Sequence, residues 1–480
     1  MKLKGLLRDI VATPVVVDLD IHGLSIDSRT LKPGDLFFAY PGVHQDRRQC
    51  MSEAVERGAA AILVEVADQP DLPEHVGIPF IPVMNLRDKL GFIVSRFYGD
   101  PSQQLTVIGV TGTNGKSSIV HLIAQALTLL GKKVAAISTI VAAQTTPDAI
   151  TIQSSLADEV KSGVDYAVIE VSSHALDQGR VNGVQFDYAV FTNLTRDHLD
   201  YHGDMQHYAL AKYRLFTFPD LKAGVINEDD PLGAEWIDNL SARLPVCSYS
   251  THDLHPQANV SASNIEFSLQ GTRAAIKTPW GGGQLSSQLI GEFNLSNLLA
   301  VVAVLGELAI SLDDILGVLP QLSPVSGRME TLGGQQGQPL VVIDYAHTPD
   351  ALAKALSSLA KHCCGKLFCV FGCGGSRDRG KRAQMGKVAE NYADRIIVTD
   401  DNPRAESPEQ IIQDIFAGID CPEKIHVERN RELAIKFAVQ EACADDMILL
   451  AGKGHEQCQD IQGVKHPFDE RAIVKKVLKY

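Results

Sequence analysis

Residues 105–131 read LTVIGVTGTNGKSSIVHLIAQALTLLG. Residues 105–110 form a short, β-branched apolar run, which predicts a buried strand. The six residues that follow, TGTNGK, include no apolar side chain. From Ser117 the period changes: Ile119, Leu122, Ile123, Ala126, Leu127 and Leu130 recur at helical spacing, and Gly131 stands where a helix stops. Strand, glycine loop and helix make a phosphate cradle, because loop N–H groups and the positive helix N-terminus converge on one anion. Gly112, Thr113, Asn114, Gly115, Lys116, Ser117 and Ser118 are therefore candidates for holding a nucleoside triphosphate. Lys116 would reach the outer phosphates and Ser117 would ligate Mg²⁺. Val110 stands where the general pattern has its first glycine, and Gly112 takes up the loop instead. An ordinary glycine turn is the competing reading; Gly-Lys-Ser opening an amphipathic helix after a buried strand favours the phosphate site.

At 480 residues the chain exceeds one ordinary core, and about two to four domains are expected. Apolar residues at 45% and charged residues at 21% give the balance of a soluble globular protein. A net charge of −14 argues against nucleic acid or an anionic membrane as a partner, while leaving room for a local basic pocket. The nine cysteines include the adjacent pair Cys363 and Cys364 but no CxxC, which reads as reduced thiols in the cytoplasm. The opening MKLKGLLRDIV is charged throughout and is no secretory signal. No stretch approaches the ~20 uninterrupted apolar residues of a membrane span. A cytoplasmic monomer is expected.

Three domains are expected. Residues 1–97 read as a small α/β domain with strands at 60–66 and 78–83. Residues 98–328 read as a central parallel sheet of the P-loop mononucleotide-binding kind, with strands at 105–110, 133–139, 165–171, 186–192 and 223–227. Within it, 255–290 suggests a small antiparallel addition, and GEFNLSN at 291–297 an asparagine-rich turn leading into a helix. Residues 329–480 restart the alternation as a Rossmann-like, doubly wound domain with strands at 340–344, 366–371, 395–399 and 447–451. These four strands run into DYAHTPD, GCGGSRDRGKR, DDNPR and GKGHE. In open α/β sheets ligands sit at the carboxyl ends of strands, where such polar clusters fall.

Glu170 and His198 end two strands that would flank the phosphate loop, and together could organise Mg²⁺ between a triphosphate and its acceptor. A zinc site from Asp197, His198, Asp200 and His202 is the weaker alternative, lacking cysteines or a third nearby histidine. Arg377, Arg379, Lys381 and Arg382 concentrate positive charge on a glycine-rich loop, which suggests recognition of a carboxylate or phosphate. Arg404 follows Asp401, Asn402 and Pro403, the proline fixing the turn. Asp27-Ser28-Arg29 and His44-Gln45-Asp46, taken alone, read as turn residues.

Together, VTGTNGKSS, EVSSHALDQGR, FTNLTRDHLDYHGDMQHYALAKYRLF, GEFNLSN, GRME, DYAHTPDAL, FGCGGSRDRGKR, TDDNPR and AGKGHE closely resemble the Mur ligases of peptidoglycan synthesis, over nearly the whole chain. The resemblance implies an ATP-dependent amide ligase acting on UDP-N-acetylmuramoyl-L-alanyl-D-glutamate through an acyl phosphate. DNPR is the form found in members that add meso-diaminopimelate. It implies that residues 112–118 hold ATP, with Glu170 and His198 organising Mg²⁺, and that Asn294, Arg328 and Asp344 contact adenine and ribose, assisted by His347. Ile26, Ser28, His44, Gln45 and Asp46 would contact the UDP-sugar. Gln144, Thr145, Thr146, Ser172, Gln178 and Arg180 would contact the sugar-peptide, with Gln144 standing in a shortened loop where the family usually has asparagine. Lys212 matches a lysine carbamylated by CO₂, which would help bind a second Mg²⁺. Arg377, Asp401, Asn402, Pro403, Arg404, Gly452 and Glu456 would form the amino-acid site, Arg404 gripping the distal carboxylate that lysine lacks. A lysine-adding ligase and a folylpolyglutamate-type synthetase are the alternatives. The N-terminal domain counts against the second. A nucleotide switch would leave the basic loop of the third domain unexplained.

Overall fold

The structure is a computed structural model that describes all residues except 12–17, 43–44, 67–76, 139–144, 252–256, 269–270, 336 and 480. The chain divides into two compact units, Met1–Tyr249 with Ala303–Leu308, and Ser250–Val302 with Ala309–Tyr480. The α/β class holds in both.

The first unit opens with four parallel strands in sequence order: β1 (Gly23–Ser25), β2 (Asp35–Ala39), β3 (Ala61–Glu65) and β4 (Phe80–Val83). Side chains alternate across a strand. Leu36 and Phe38 of β2 accordingly enter one core with Leu3, Leu6, Leu90 and Ile93, while Phe37 and Ala39 enter another with Ala54 and Ile62. Sequence reading found β3 and β4 but not β1 or β2. Every residue of β2 is buried, so DLFFA shows no alternation to read.

Six further parallel strands follow: β5 (Thr106–Thr111), β6 (Val134–Ile137), β7 (Tyr166–Glu170), β8 (Tyr188–Phe191), β9 (Ala223–Asn227) and β10 (Val246–Ser250). Their order is β10-β9-β8-β5-β7-β6. The strand that feeds the phosphate loop thus lies between β8 and β7, where an open α/β sheet forms its ligand crevice. The helix Lys116–Leu129 starts after Gly115, whose φ is +87°, and Gly131 at +73° follows its end. Gly112 has φ +149°, and a Cβ there would overlap Thr192 Oγ1. Only glycine lets the loop lie so close to the end of β8. β10 was not anticipated.

The second unit begins with an antiparallel meander, β11 (Val260–Ser268), β12 (Gly271–Thr278) and β13 (Gly281–Ser287), as the sequence suggested. The expected turn at GEFNLSN is instead the start of the helix Glu292–Glu307. Asn294 Nδ2 donates back to Ile290 O, just before the helix, at 2.8 Å, so the amide is satisfied at i−4 and does not break the helix. The last sheet runs β14-β15-β19-β16-β17-β18. These strands are β14 (Glu330–Gly333), β15 (Leu340–Asp344), β16 (Leu367–Phe371), β17 (Arg395–Val398), β18 (Ile425–Val427) and β19 (Met447–Ala451). All pair in parallel except β14, which is antiparallel to β15. A separate hairpin, β20 (Cys458–Ile461) and β21 (Val464–Pro467), lies outside this sheet. The edge strands β14 and β18 and the hairpin escaped sequence reading, being short and at least partly exposed.

Gly91 allows the helix Leu86–Phe97 to touch the backbone at Asn182, where a Cβ would overlap the carbonyl oxygen. Alanine gains about 1 kcal/mol of helix propensity, but the obstacle is backbone and cannot rotate away. Gly91→Ala should therefore lower stability by about 1–3 kcal/mol net, read as a depressed Tm. An unchanged Tm would contradict the close packing.

Candidate active site

At the end of β5, Lys116 Nζ donates to Gly112 O at 3.0 Å and to Thr113 O at 2.9 Å. Lys212, from the helix Met205–Tyr213, donates to the same Gly112 O at 2.7 Å and is 1% exposed. Its ammonium also lies 4.3 Å from the Tyr208 ring centroid. Burial, reinforced by the Lys116 charge, pushes the Lys212 amine well below its ordinary 10.5. Glu170, at the end of β7, accepts from Ser117 Oγ at 2.9 Å and stands 4.0 Å from Lys116 Nζ. The loop is held from the β8 side: Thr113 N donates to Asn193 O, Asn114 N to Asn193 Oδ1, and Thr192 Oγ1 to Asn114 O. Ser118 sits half-buried in the first helical turn. His198 has φ +53°, lies 3.4 Å from Asp197 Oδ2, and packs its ring 4.8 Å from that of His174.

Ser117 and Glu170 are hard oxygen donors at a helix N-terminus, a donor set that fits Mg²⁺, which takes few protein ligands and the rest from phosphates and water. Among the described residues no group of three or more His, Cys, Asp or Glu could hold a metal unaided, so the zinc alternative finds no support there.

A cavity of about 940 Å³ opens elsewhere in the first unit. Ile26, Ser28, Gln45, Gln178 and Arg180 line it. So do Arg47, Arg87, Tyr40 and Tyr201, which sequence reading did not single out, and Arg29, which it read as a turn residue. Each of these arginines comes from a different segment, so no local motif announces them. Arg47 donates to Ile26 O and stacks 4.6 Å over the Tyr40 ring; Arg87 donates to Gln178 O. The Ser28 hydroxyl donates to Glu53, and Asp46 pairs with Arg48 at 2.7 Å. Arg180 donates to Gln178 Oε1 and, at 2.9 Å, to Thr146 O. Thr146 Oγ1 donates to Glu170 O and accepts from Ser172 N. A relay of contacts thus joins the cavity to the phosphate loop. Thr145 is half-buried beside it. His44 and Gln144 lie outside the described residues.

In the second unit the carboxyl ends of β15, β16, β17 and β19 gather the other candidates. Asp344 accepts from Met329 N and Ala346 N, and its burial pushes its carboxyl upward. Arg328 stacks 4.6 Å over Tyr345, and His347 contacts Tyr345 O. Asn402 Nδ2 donates to Glu456 Oε2 at 2.8 Å. Lys453, wholly buried, donates to Asp401, Asn402 and Glu456 at 3.3, 2.9 and 3.2 Å. Gly452, at φ +116°, lies against Asp401. The basic loop divides in two. Arg382, 0% exposed, is spent on Glu406 and Asp414, Arg379 on Asp414, and Lys381 on His347 O. This corrects the expectation that all four cations await an anion. Arg377 and Arg404, among the described residues, have no carboxylate partner, and a Cβ on Gly374 would meet Arg404 Nη1 at 2.8 Å and Arg377 Cγ at 3.7 Å.

Residues 20–98 match the model described as Mur ligase family, catalytic domain; residues 110–305 match the Mur ligase middle domain; residues 327–454 match the Mur ligase, glutamate ligase domain. A UDP-N-acetylmuramoyl-L-alanyl-D-glutamate--2,6-diaminopimelate ligase of Xylella fastidiosa (strain 9a5c) is 47% identical, covering 100% of this chain and 97% of its own. The chain belongs to the Mur ligase family. A second Mur ligase of the same description, from Pseudomonas putida, is 48% identical over 95% of both chains. A solved ligase of that description superposes with a TM-score of 0.75 at 35% identity, covering 100% of this chain and 99% of the other.

Within this Mur ligase, Glu406 ties the basic loop to the start of the helix Pro408–Phe416. Arg382 and the Ser376 N–H hold its carboxyl at about 2, below the ordinary 4.5. A carboxyl depressed in the folded state stabilises above the unfolded value, and that contribution fades as pH falls from 4.5 toward 2. Glu406→Gln should therefore melt earlier than the unmodified chain at pH 7, with the gap closing toward pH 2. A gap independent of pH would contradict the ion-pair account.

Proposed function

We propose that this chain is an ATP-dependent ligase that joins meso-diaminopimelate to the D-glutamate of UDP-N-acetylmuramoyl-L-alanyl-D-glutamate, in the cytoplasm and as a monomer. The observation that carries the reading is the relay from the arginine-lined cavity through Arg180 and Thr146 to Glu170 and Lys116. A UDP-sugar seated in the cavity, with Ile26, Ser28, His44, Gln45 and Asp46 at its nucleotide end, would extend its peptide toward the phosphate loop. Gln144, Thr145, Thr146, Ser172, Gln178 and Arg180 would guide it there. Full-length kinship to ligases described as acting on that substrate supports the same reading.

Residues 112–118 would cradle the phosphates of ATP, with Lys116 neutralising charge as the terminal phosphoryl passes to the glutamate carboxylate. Mg²⁺, held through Ser117, Glu170, His198 and a carbamylated Lys212, would supply electrostatic stabilisation of the phosphate oxygens. Lys212 suits carbamylation because burial favours its neutral amine. The lone pair of that neutral amine adds to CO₂, a proton leaves, and the side chain becomes a carbamate anion. Asn294, Arg328, Asp344 and His347 would meet the adenosine. Arg377, Asp401, Asn402, Pro403, Arg404, Gly452 and Glu456 would orient the incoming amino acid, whose amine displaces phosphate from the acyl phosphate. The two guanidiniums without carboxylate partners among the described residues suit an acceptor with a second carboxylate.

Purified protein with ATP, Mg²⁺ and the UDP-muramoyl dipeptide should release phosphate only when an acceptor is added, and far faster with meso-diaminopimelate than with L-lysine; equal use of L-lysine would overturn the acceptor assignment. Lys212→Met removes a buried amine, so it should lose at least about 100-fold in rate while Tm holds or rises. Retention of the full rate would remove Lys212 from the chemistry.

A further inference from the structure

Resting on the acceptor assignment above, we propose that the β20–β21 hairpin sets acceptor discrimination by locking Arg404 into a left-handed backbone conformation that keeps its guanidinium beside Arg377. Arg404 has φ +52°, a region that side chains other than glycine and asparagine seldom enter. Something must hold it there. Its N–H donates to Asp460 O at 3.0 Å and its carbonyl accepts from Gln462 N at 2.8 Å, on either side of a bridge to Ile461. The hairpin reaches the rest of the acceptor loop too: Asp460 N donates to Asn402 Oδ1 at 2.9 Å, and Gln459 Nε2 to Asp400 O at 3.2 Å.

The hairpin has little other visible purpose. β21 is exposed along its length, and Ile461 and Val464 are 38% and 57% exposed. Four hydrogen bonds to residues 400–404 are its main engagement with the domain. Its own shape depends on a two-residue turn, with Ile461 paired to Val464 and both Gln462 (φ +52°) and Gly463 (φ +79°) left-handed. Turns of this type need residues that tolerate positive φ, so the turn is where the lock can be loosened without touching the acceptor pocket.

The consequence is a division of labour. Arg377 stands on the basic loop, whereas Arg404 is placed by a strand pair added after the sheet is complete. If the hairpin frays, Arg404 relaxes to an ordinary conformation and its guanidinium leaves Gly374. An acceptor with a distal carboxylate then loses its advantage, while one without it loses nothing.

The test uses the full-length protein and compares Gln462→Val and Gly463→Val with Gln462→Asn, a side chain that tolerates left-handed backbone. kcat and KM are measured for meso-diaminopimelate, L-lysine and ATP, alongside thermal melts; Gln462→Ala replaces any valine variant that does not fold. The valine variants should lose at least about tenfold in kcat/KM for meso-diaminopimelate, through KM. Their constants for ATP and lysine should stand still, and Gln462→Asn should retain the unmodified preference. Undiminished preference in the valine variants, or constants for all three substrates moving together, would overturn the hairpin's role. An unmodified protein that uses lysine as well as meso-diaminopimelate would instead overturn the acceptor assignment beneath it.

Discussion

One carbonyl, Gly112 O, accepts from two largely buried lysine side chains, Lys116 at 3.0 Å and Lys212 at 2.7 Å. Two ammonium groups so close repel each other, and the carboxylates that act on Lys212, Asp197 and Glu170, do not outweigh its burial. The site is relieved by shedding the Lys212 proton, by converting that amine to an anion, or by admitting an anion of its own. The architecture around it serves this constraint. β5 is central, the loop presses on β8 through a position that tolerates only glycine, and the helix Lys116–Leu129 adds its positive end to the same point.

The second unit handles positive charge by the opposite means. Arg382 and Arg379 are consumed by Glu406 and Asp414, and Lys453 by Asp401, Asn402 and Glu456. The pairs made by the buried cations Arg382 and Lys453 position loops more than they stabilise them, since desolvation offsets much of their attraction. What remains is selective: Arg377 and Arg404, one on the basic loop and one held from outside by the hairpin. Fixed cations with no carboxylate partner among the described residues have ligand recognition as their natural use.

The strand, loop and helix at 105–131 were legible because apolar period switches from a continuous run to helical spacing within one glycine-rich turn. The parallel strands with polar clusters at their carboxyl ends were legible for the same reason. β2 and β10 were not, since strands buried on both faces carry no alternation, and β1, only three residues long, is too short to show a period. GEFNLSN misled because asparagine usually marks a turn, yet Asn294 finds its acceptor four residues back, at Ile290 O just before the helix. Arg379 and Arg382 misled because a charge run names donors without naming partners, and Glu406 and Asp414 lie more than twenty residues away. The arginines of the cavity are drawn from separate loops, a convergence only tertiary structure reveals.

The central claim is that the phosphate cradle exists to activate a carboxylate. The most direct measurement follows oxygen: with ¹⁸O in the γ-carboxylate of the UDP-muramoyl dipeptide, ligation is run to completion and the released phosphate is examined by mass spectrometry. The account predicts one ¹⁸O atom in each phosphate, since the oxygen that receives the phosphoryl group leaves with it. Unlabelled phosphate alongside completed ligation would contradict it.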